Sequence, residues 1–408
     1  MAPSAIQPDI SYEPDFEKYQ NRTKRRLASE DTSQALPDGF PQQLKSDLVW
    51  DASDFPQVGS GNEPWVYNLT AVELEEIDQA LAHFKGLQKS LGHIQPETFP
   101  LPTLHSRLRS LSHDLHFGRG FCVLRRLPVE KWTREENVIV YAGVSSHIGA
   151  IRGRQDTKHE GVPADVVLSH IINLNATGNQ KTIGAPAYTT DKQVFHTDTG
   201  DIVSLLALSE AAEGGESQIA SAWKVYNEIA KSRPDLIRTL AEDWIIDGFK
   251  HAERPYFQRP LLYHQPATEE APERVVIQYS RRTFTGFGAL PRSVSIPPIT
   301  EAQAEALDAL HFLADKHSLE LDIKKGDIQY INNLSIFHAR RGFKDNVLKR
   351  RHLLRLWLRD PEYAWITPEP LQERWQGLYQ GVTAEKEVFP LHPVIRSASN
   401  GTATRDQA

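Results

Sequence analysis

The spacing of apolar positions changes character along the chain. Residues 1–47 are rich in Pro, Ser and charge, with a basic run Lys24-Arg25-Arg26, and carry no sustained apolar period. Such a stretch buries too little surface to offset ordering entropy, so a flexible N-terminal arm is expected. From Leu48-Val49-Trp50 the pattern turns helical. Thr70-Ala71-Val72-Glu73 reads as a capping box, and Leu74, Ile77, Leu81 and Phe84 follow on one helical face. A second stripe, Leu101, Leu104, Leu108 and Leu111, follows, and a helical N-terminal region is expected over 48–110.

Short apolar runs then take over. Gly118-Arg119-Gly120-Phe121-Cys122-Val123-Leu124 predicts a turn feeding a buried strand, closed by Pro128. Further strands are expected at 166–172, 202–208, 217–220, 244–247, 260–263, 274–279, 327–331 and 353–358. Helices interleave: Trp223, Tyr226 and Ile229 mark one, and Leu236, Ile237 and Leu240 after Pro234 mark another. A third opens at the capping box Thr300-Glu301-Ala302-Gln303 and runs through Leu307, Leu310 and Leu313. The pattern predicts a mostly β chain with helices, an α+β class, with a sandwich or jelly-roll domain over 111–390. Residues 391–408 turn polar again, and a disordered tail is expected there.

Composition narrows the function. The chain has 408 residues, 39% hydrophobic and 24% charged, which is globular usage. A net charge of -7 argues against a nucleic-acid or anionic-membrane partner. Cys122 is the single cysteine, so an internal disulfide, a thiolate zinc site and an Fe–S cluster are all excluded. Residues 1–20 have no apolar leader core, and no run is long enough to span a bilayer, so a cytoplasmic protein is expected. A homo-oligomer is left open.

The candidate chemistry starts at Phe195-His196-Thr197-Asp198-Thr199-Gly200-Asp201, just before the apolar run 202–208. On a strand, i and i+2 share a face, so His196 and Asp198 can reach one metal ion. A His-x-Asp pair alone is weak, because chance supplies it in a chain with 16 histidines. His251-Ala252-Glu253 has the same spacing and ranks lower, in a polar segment beside Pro255. Two further stretches add weight. Gly326-Asp327 leads a strand into Asn332-Asn333 and then His338-Ala339-Arg340. Beyond it, Arg351-His352-Leu353-Leu354-Arg355-Leu356-Trp357-Leu358-Arg359 read with period two puts Arg351, Arg355 and Arg359 on one face. If that face is interior, it forms a cationic pocket suited to a carboxylate; otherwise it is a solvated strand face. His147 and His170 read as structural histidines, and Cys122 as a core residue.

These stretches together resemble the taurine dioxygenase (TauD/TfdA-like, clavaminate-synthase-like) family of Fe(II)- and 2-oxoglutarate-dependent oxygenases. The resemblance runs from about residue 118 to 373 and implies a double-stranded β-helix (jelly-roll) core. It implies that His196, Asp198 and His338 bind Fe(II), and that Arg351 pairs with the far carboxylate of 2-oxoglutarate. It further implies that Arg355 faces the substrate or supports the co-substrate. Ser217 falls where relatives carry a Thr assisting 2-oxoglutarate binding. Halogenating relatives lack the carboxylate ligand; Asp198 is present, which implies oxygenation with O2, releasing succinate and CO2. Tyr279, Arg281 and Arg282 are candidate substrate contacts; with Arg355 the arginines would favour a small anionic organic substrate, although a surface turn would explain the same residues. Two alternatives use the same residues. One is a catalytically silent jelly-roll binding protein, which a broken triad would mark. The other is a mononuclear zinc hydrolase, which leaves Arg351 and Arg355 unexplained.

Overall fold

The computed structural model describes residues 6–32, 35–175, 181–249, 251 and 253–401. Its principal helices are α1 (Phe16–Ser29), α2 (Ala71–Gly86), α3 (Leu104–Phe117), α4 (Arg134–Ser146), α5 (Ala222–Ser232), α6 (Pro234–Ala241), the single turn α7 (Arg282–Thr285), α8 (Glu301–His317) and α9 (Gln372–Tyr379). The strands that build the core are β1 (Val66–Asn68), β2 (Phe121–Arg125), β3 (Ile151–Arg152), β4 (Leu168–Ile172), β5 (Gln193–His196), β6 (Ile202–Ser209), β7 (Ser217–Ser221), β8 (Leu319–Leu321), β9 (Ile328–Asn332), β10 (Ile336–Arg340) and β11 (His352–Arg359). A seven-stranded sheet runs β1-β2-β9-β6-β11-β3, with β4 also paired to β11; a four-stranded sheet runs β8-β7-β10-β5. Apart from the parallel β1–β2 pair, every pairing in these two sheets is antiparallel.

Side-chain alternation explains how the sheets face each other. On β11, Leu354, Leu356 and Leu358 join Ile202 and Leu206 of β6 and Ile328 and Tyr330 of β9 in a buried cluster with Leu108 of α3 and Val140 of α4. The opposite face of the same strand carries Arg355 and Trp357, also buried. Burying a large aliphatic side chain stabilises by about 1.5–3 kcal/mol, so slipping β11 by one residue would take its three leucines out of that apolar cluster and drive its arginines into it. The small sheet repeats the device. Phe195 of β5 and Phe337 and Ala339 of β10 pack outward with residues of α5, α6 and α8, while Ile219 of β7 and Ile336 of β10 pack inward with Phe121 and Val203 of the large sheet. The result is the expected α+β jelly roll, covered by helices on both outer faces. No helix among the described residues is long and apolar enough to cross a membrane.

Both chain ends differ from expectation where they are described. The arm expected to be flexible over 1–47 contains α1, capped by the Asp15 side chain. Two of its arginines, Arg22 and Arg26, are buried ion-pair partners rather than solvated charges. Arg22 Nη1 lies 2.6 Å from Asp308 Oδ2, and Arg26 pairs with Glu305, both acids on α8. Polarity misled because the complementary carboxylates lie hundreds of residues away and are themselves buried. Leu36, Leu44 and Leu48 complete the arm's attachment to the core. Residues 391–401, expected as part of a disordered tail, also carry ordered contacts: Asn400 bridges to Ile183, and the Gly184 N–H donates to Ser399 O at 2.8 Å. The remainder of that tail, 402–408, lies outside the described residues.

Glu305 is fully buried and pairs with both Arg26 and Arg233. Replacing it with alanine removes one buried carboxylate from both guanidinium groups, which keep Asp235 and, for Arg26, Glu30, and we expect a loss of about 3 kcal/mol in chemical denaturation. Glu30 meets Arg26 from a half-exposed position, so Glu30→Ala should cost under about 1 kcal/mol in the same measurement.

Candidate active site

The site is assembled where β5 ends. His196 is the last residue of β5 and the direct register partner of His338 on β10, and the two rings stand 4.1 Å apart between centroids. His196 Nδ1 lies 2.9 Å from the Val194 carbonyl, and Gln193 Nε2 lies 3.0 Å from His196 Nε2. Those partners assign the proton to Nδ1 and make Nε2, which accepts from the Gln193 amide, the nitrogen that would turn its lone pair to a metal. Asp198 lies past the strand, in a loop, yet its Oδ1 is 3.6 Å from His196 Nε2. Ligand atoms of His196, Asp198 and His338 all lie within 4.8 Å of one another. Thr197 turns the other way, its hydroxyl accepting from the Tyr279 N–H at 3.0 Å.

What holds Asp198 in place was not assigned from sequence. Asn333 accepts the Asp198 N–H at 2.8 Å and donates to the carbonyls of Asp198 and Gly200 at 2.8 and 2.7 Å. The carboxylate is divided in role. Oδ2 accepts from Arg355 Nη1 at 2.7 Å and Trp357 Nε1 at 3.0 Å, both on β11, which leaves Oδ1 facing the histidines. Further on, the loop is clamped by α9: Trp375 Nε1 donates to Asp201 Oδ1 at 2.6 Å, and the Asp201 N–H donates to the Tyr379 hydroxyl at 3.0 Å.

Electrostatics favours the forms a metal needs. Burial would raise the Asp198 carboxyl, but Arg355 above all, with His196 and His338, holds it well below the usual carboxylate range. Burial pushes His338 down to about 3, and His196 beside it adds to the drop, so its imidazole is neutral. Buried His338 Nδ1 has no hydrogen-bond partner. Two imidazole nitrogens and one carboxylate oxygen gathered on one side would fit a facial Fe(II) triad with open positions.

Of the two readings left open for the arginine face, the interior one holds for Arg351 and Arg355, while Arg359 at the end of β11 is part-exposed. Arg351 is 9% exposed, and among the described residues its guanidinium has no ion-pair or hydrogen-bond partner. Its nearest aromatic neighbour is Phe343, 5.6 Å from the ring centroid. Burial, with Arg340 nearby, pushes it down to about 9. Gly215, expected only as part of a turn, makes room for it: a Cβ there would come within 3.0 Å of Arg351 Cδ. Arg355 is already engaged, by Asp198 and by Gln155 Oε1 at 2.9 Å. Ser217 is buried on β7, donating to Gln329 Oε1 at 2.8 Å.

A cavity of about 680 Å³ opens beside His196, Asp198, Arg355 and Trp357. Arg351, Ser217 and His338 are not on its wall. Nor is Tyr279, whose ring packs edge-on against Phe337 at 5.2 Å with its hydroxyl enclosed; the expected substrate contact is a core residue. Arg281 reaches the wall, but Asp308 pairs with it at 2.8 Å and Ser11 O accepts from its Nε at 2.7 Å. Its charge is met within the fold. Arg282, also on the wall, donates to Gly184 O at 2.8 Å. Arg374 and Arg396 line the cavity instead; a polar C-terminal pattern gave no signal for them. The competing His251 accepts the Arg254 N–H at 3.0 Å. His147 and His170 bond the carbonyls of Phe99 and Pro390 at 2.9 and 2.7 Å, as structural histidines do.

Comparison with known proteins agrees with this geometry. Residues 83–357 match the family model described as taurine catabolism dioxygenase TauD, TfdA family. The chain is 36% identical over 360 residues to the taurine hydroxylase-like protein SAT17 of Stachybotrys chartarum, covering 86% of this chain and 89% of that protein. It is 24% identical over 306 residues to FR-33289 synthase of Streptomyces rubellomurinus, covering 72% and 85%. Among solved structures, a variant of the non-haem iron oxygenase OrfP with (3S)-hydroxy-L-Arg superposes with a TM-score of 0.53 at 16% identity, covering 79% of this chain and 99% of that one. Asparagine oxygenase with Fe(II), 3-hydroxyasparagine and succinate gives 0.52 at 14%, covering 72% and 94%. At those identities the likeness is one of fold.

Asn333 makes three hydrogen bonds to the Asp198 loop. Asn333→Ala should therefore weaken Mn(II) or Fe(II) binding about 10- to 100-fold by calorimetry, although Asn333 touches no metal. Asp198→Ala should remove measurable binding altogether.

Proposed function

The chain belongs to the TauD, TfdA family of Fe(II)- and 2-oxoglutarate-dependent dioxygenases, and on that premise we propose that His196, Asp198 and His338 hold the iron and that Arg351 anchors the co-substrate. When bound, Fe(II) with 2-oxoglutarate and O2 supplies the oxidising power for C–H oxidation, releasing succinate and CO2. The chain's residues do the rest. Arg351 offers a planar fork to the C5 carboxylate, a bidentate, charge-assisted pair in a site with no competing protein anion on the guanidinium. Arg355 and Trp357 hold one oxygen of Asp198, so that the other is the oxygen that would bind the metal. The observation that carries the reading is Arg351: a buried guanidinium with Asp345 and Glu216 nearby but no carboxylate in contact among the described residues is costly unless an anion arrives.

The substrate is read as a small organic anion oxidised at a C–H bond, by hydroxylation, desaturation or a related step. Arg355, Arg374 and Arg396 stand on the cavity wall, and a cationic wall favours an anionic guest. SAT17 is named as taurine hydroxylase-like, and taurine, a zwitterion, carries an anionic sulfonate head of the kind these arginines would meet. Ser217 is assigned to supporting the 2-oxoglutarate pocket.

The test is oxygen uptake and succinate formation with Fe(II), 2-oxoglutarate and a panel of small sulfonates, phosphonates and carboxylates. Arg351→Gln should raise the 2-oxoglutarate requirement about 10- to 100-fold, the worth of one charge-assisted pair, with the metal affinity unchanged. An unaltered requirement would move the anchoring role to another cation.

A further inference from the structure

Arg396 enters the cavity from a segment outside the stretch matched by the family model, 83–357. The backbone around it is tied down at several points. The Arg396 N–H donates to the Tyr188 hydroxyl at 3.2 Å, and the Ser397 N–H to Asp156 Oδ2 at 2.6 Å. Arg282 Nη1 reaches Ala398 O at 3.4 Å. This anchoring delivers the guanidinium to the spot where Arg355 already stands. The Arg396 guanidinium carbon lies 5.3 Å from the Trp357 ring centroid, and that of Arg355 lies 4.7 Å from the same centroid. Gln155 touches both: its side-chain oxygen accepts from Arg355 Nε at 2.9 Å, and its carbonyl accepts from Arg396 Nη1 at 3.4 Å.

Each arginine keeps an unused donor. Arg396 Nε and Arg355 Nη2 are buried and have no hydrogen-bond partner. Arg396 has no ion-pair partner among the described residues. Two acids on the same cavity wall do not pair with it: Asp156 accepts the N–H groups of Thr157 and Ser397, and Glu373 pairs with Arg254 at 2.8 Å. Two like charges brought against one indole, with donors left over, make an arrangement that a shared anion would stabilise.

We propose that Arg396 is a substrate-specificity residue: with Arg355, which lines the same wall, it clamps the anionic head of the substrate, a sulfonate, phosphonate or carboxylate, against Trp357. A head held there lies beside Arg355, which itself holds Asp198, so the alkyl part of the substrate is directed along the cavity toward the triad. The proposal rests on the oxygenase reading for which end of the substrate reacts; the clamp itself is a matter of binding.

The test uses the full chain loaded with Mn(II), a redox-inert stand-in, and saturating 2-oxoglutarate, so that the Arg351 pocket is filled. Propanesulfonate, propylphosphonate, butanoate and neutral propanesulfonamide are titrated by calorimetry. At least one anion should bind and the sulfonamide should not. Arg396→Gln should weaken the anion about tenfold or more, with Arg396→Lys between the two, while 2-oxoglutarate affinity stays as in the native chain. Equal anion affinity in the native chain and Arg396→Gln overturns the clamp. So does parallel loss of anion and 2-oxoglutarate binding in Arg396→Gln with rescue by Arg396→Lys of neither, because that is a structural role. No preference for anions over the sulfonamide overturns it as well. Failure of the native chain to bind 2-oxoglutarate would instead sink the reading of Arg351, and the anion titration would still report on Arg396.

Discussion

The centre of the molecule depends on one backbone ladder, the pairing of β5 with β10 that sets His196 opposite His338. Strand register has a period of two, so a slip of one residue would send one imidazole to the outside of the sheet. The residues that prevent the slip are not in the site. Phe195, Phe337 and Ala339 alternate with the histidines and are buried against helices on the outer face. Hydrophobic burial on one face therefore sets the distance between donors on the other. The remaining ligand is brought to this frame by Asn333 from the turn between β9 and β10 and by Arg355 and Trp357 from β11.

Arginine does two kinds of work in this fold, and the partners separate them. Arg22, Arg26, Arg233 and Arg281 meet Asp308 or Glu305 on α8 and tie the N-terminal segment and the loop after residue 279 to one helix. Their charge is spent on architecture. Arg351 and Arg396 have no such carboxylate, although Arg351 is as buried as the structural arginines. Burial alone would not have distinguished the two groups; the presence or absence of a protein counter-ion does.

The same distinction explains what could be read in the sequence. Period two on β11 was legible because Leu354, Leu356 and Leu358 mark the opposite face, and the triad was legible because its three members sit in or beside strands with clear apolar patterns. Helix boundaries followed from capping boxes, as at Thr70 and Thr300, whose side chains accept from Glu73 and Gln303. The first 47 residues were not legible, since α1 is held by ion pairs whose partners lie beyond residue 300 and leave no local period. Tyr279 was misplaced for a similar reason: its strand pattern shows that it is buried, not which side of the core its hydroxyl meets. Asn333 could be seen as part of an Asn-Asn pair, but its task is to satisfy the backbone of a loop far away in sequence, and side-chain identity alone does not disclose that.

The clamp of α9 on Asp201 has a bearing on how the enzyme comes into being. His196 and Asp198 leave the ribosome well before Asn333, His338, Trp357, Trp375 and Tyr379, the residues that complete or brace their surroundings. Contacts of such long sequence separation form late, because the loop between the partners must close first. A nascent chain therefore carries an isolated His-x-Asp pair without its third donor or its bracing. The three-donor set exists only in a chain made through His338, and the brace on Asp201 only in one made through Tyr379.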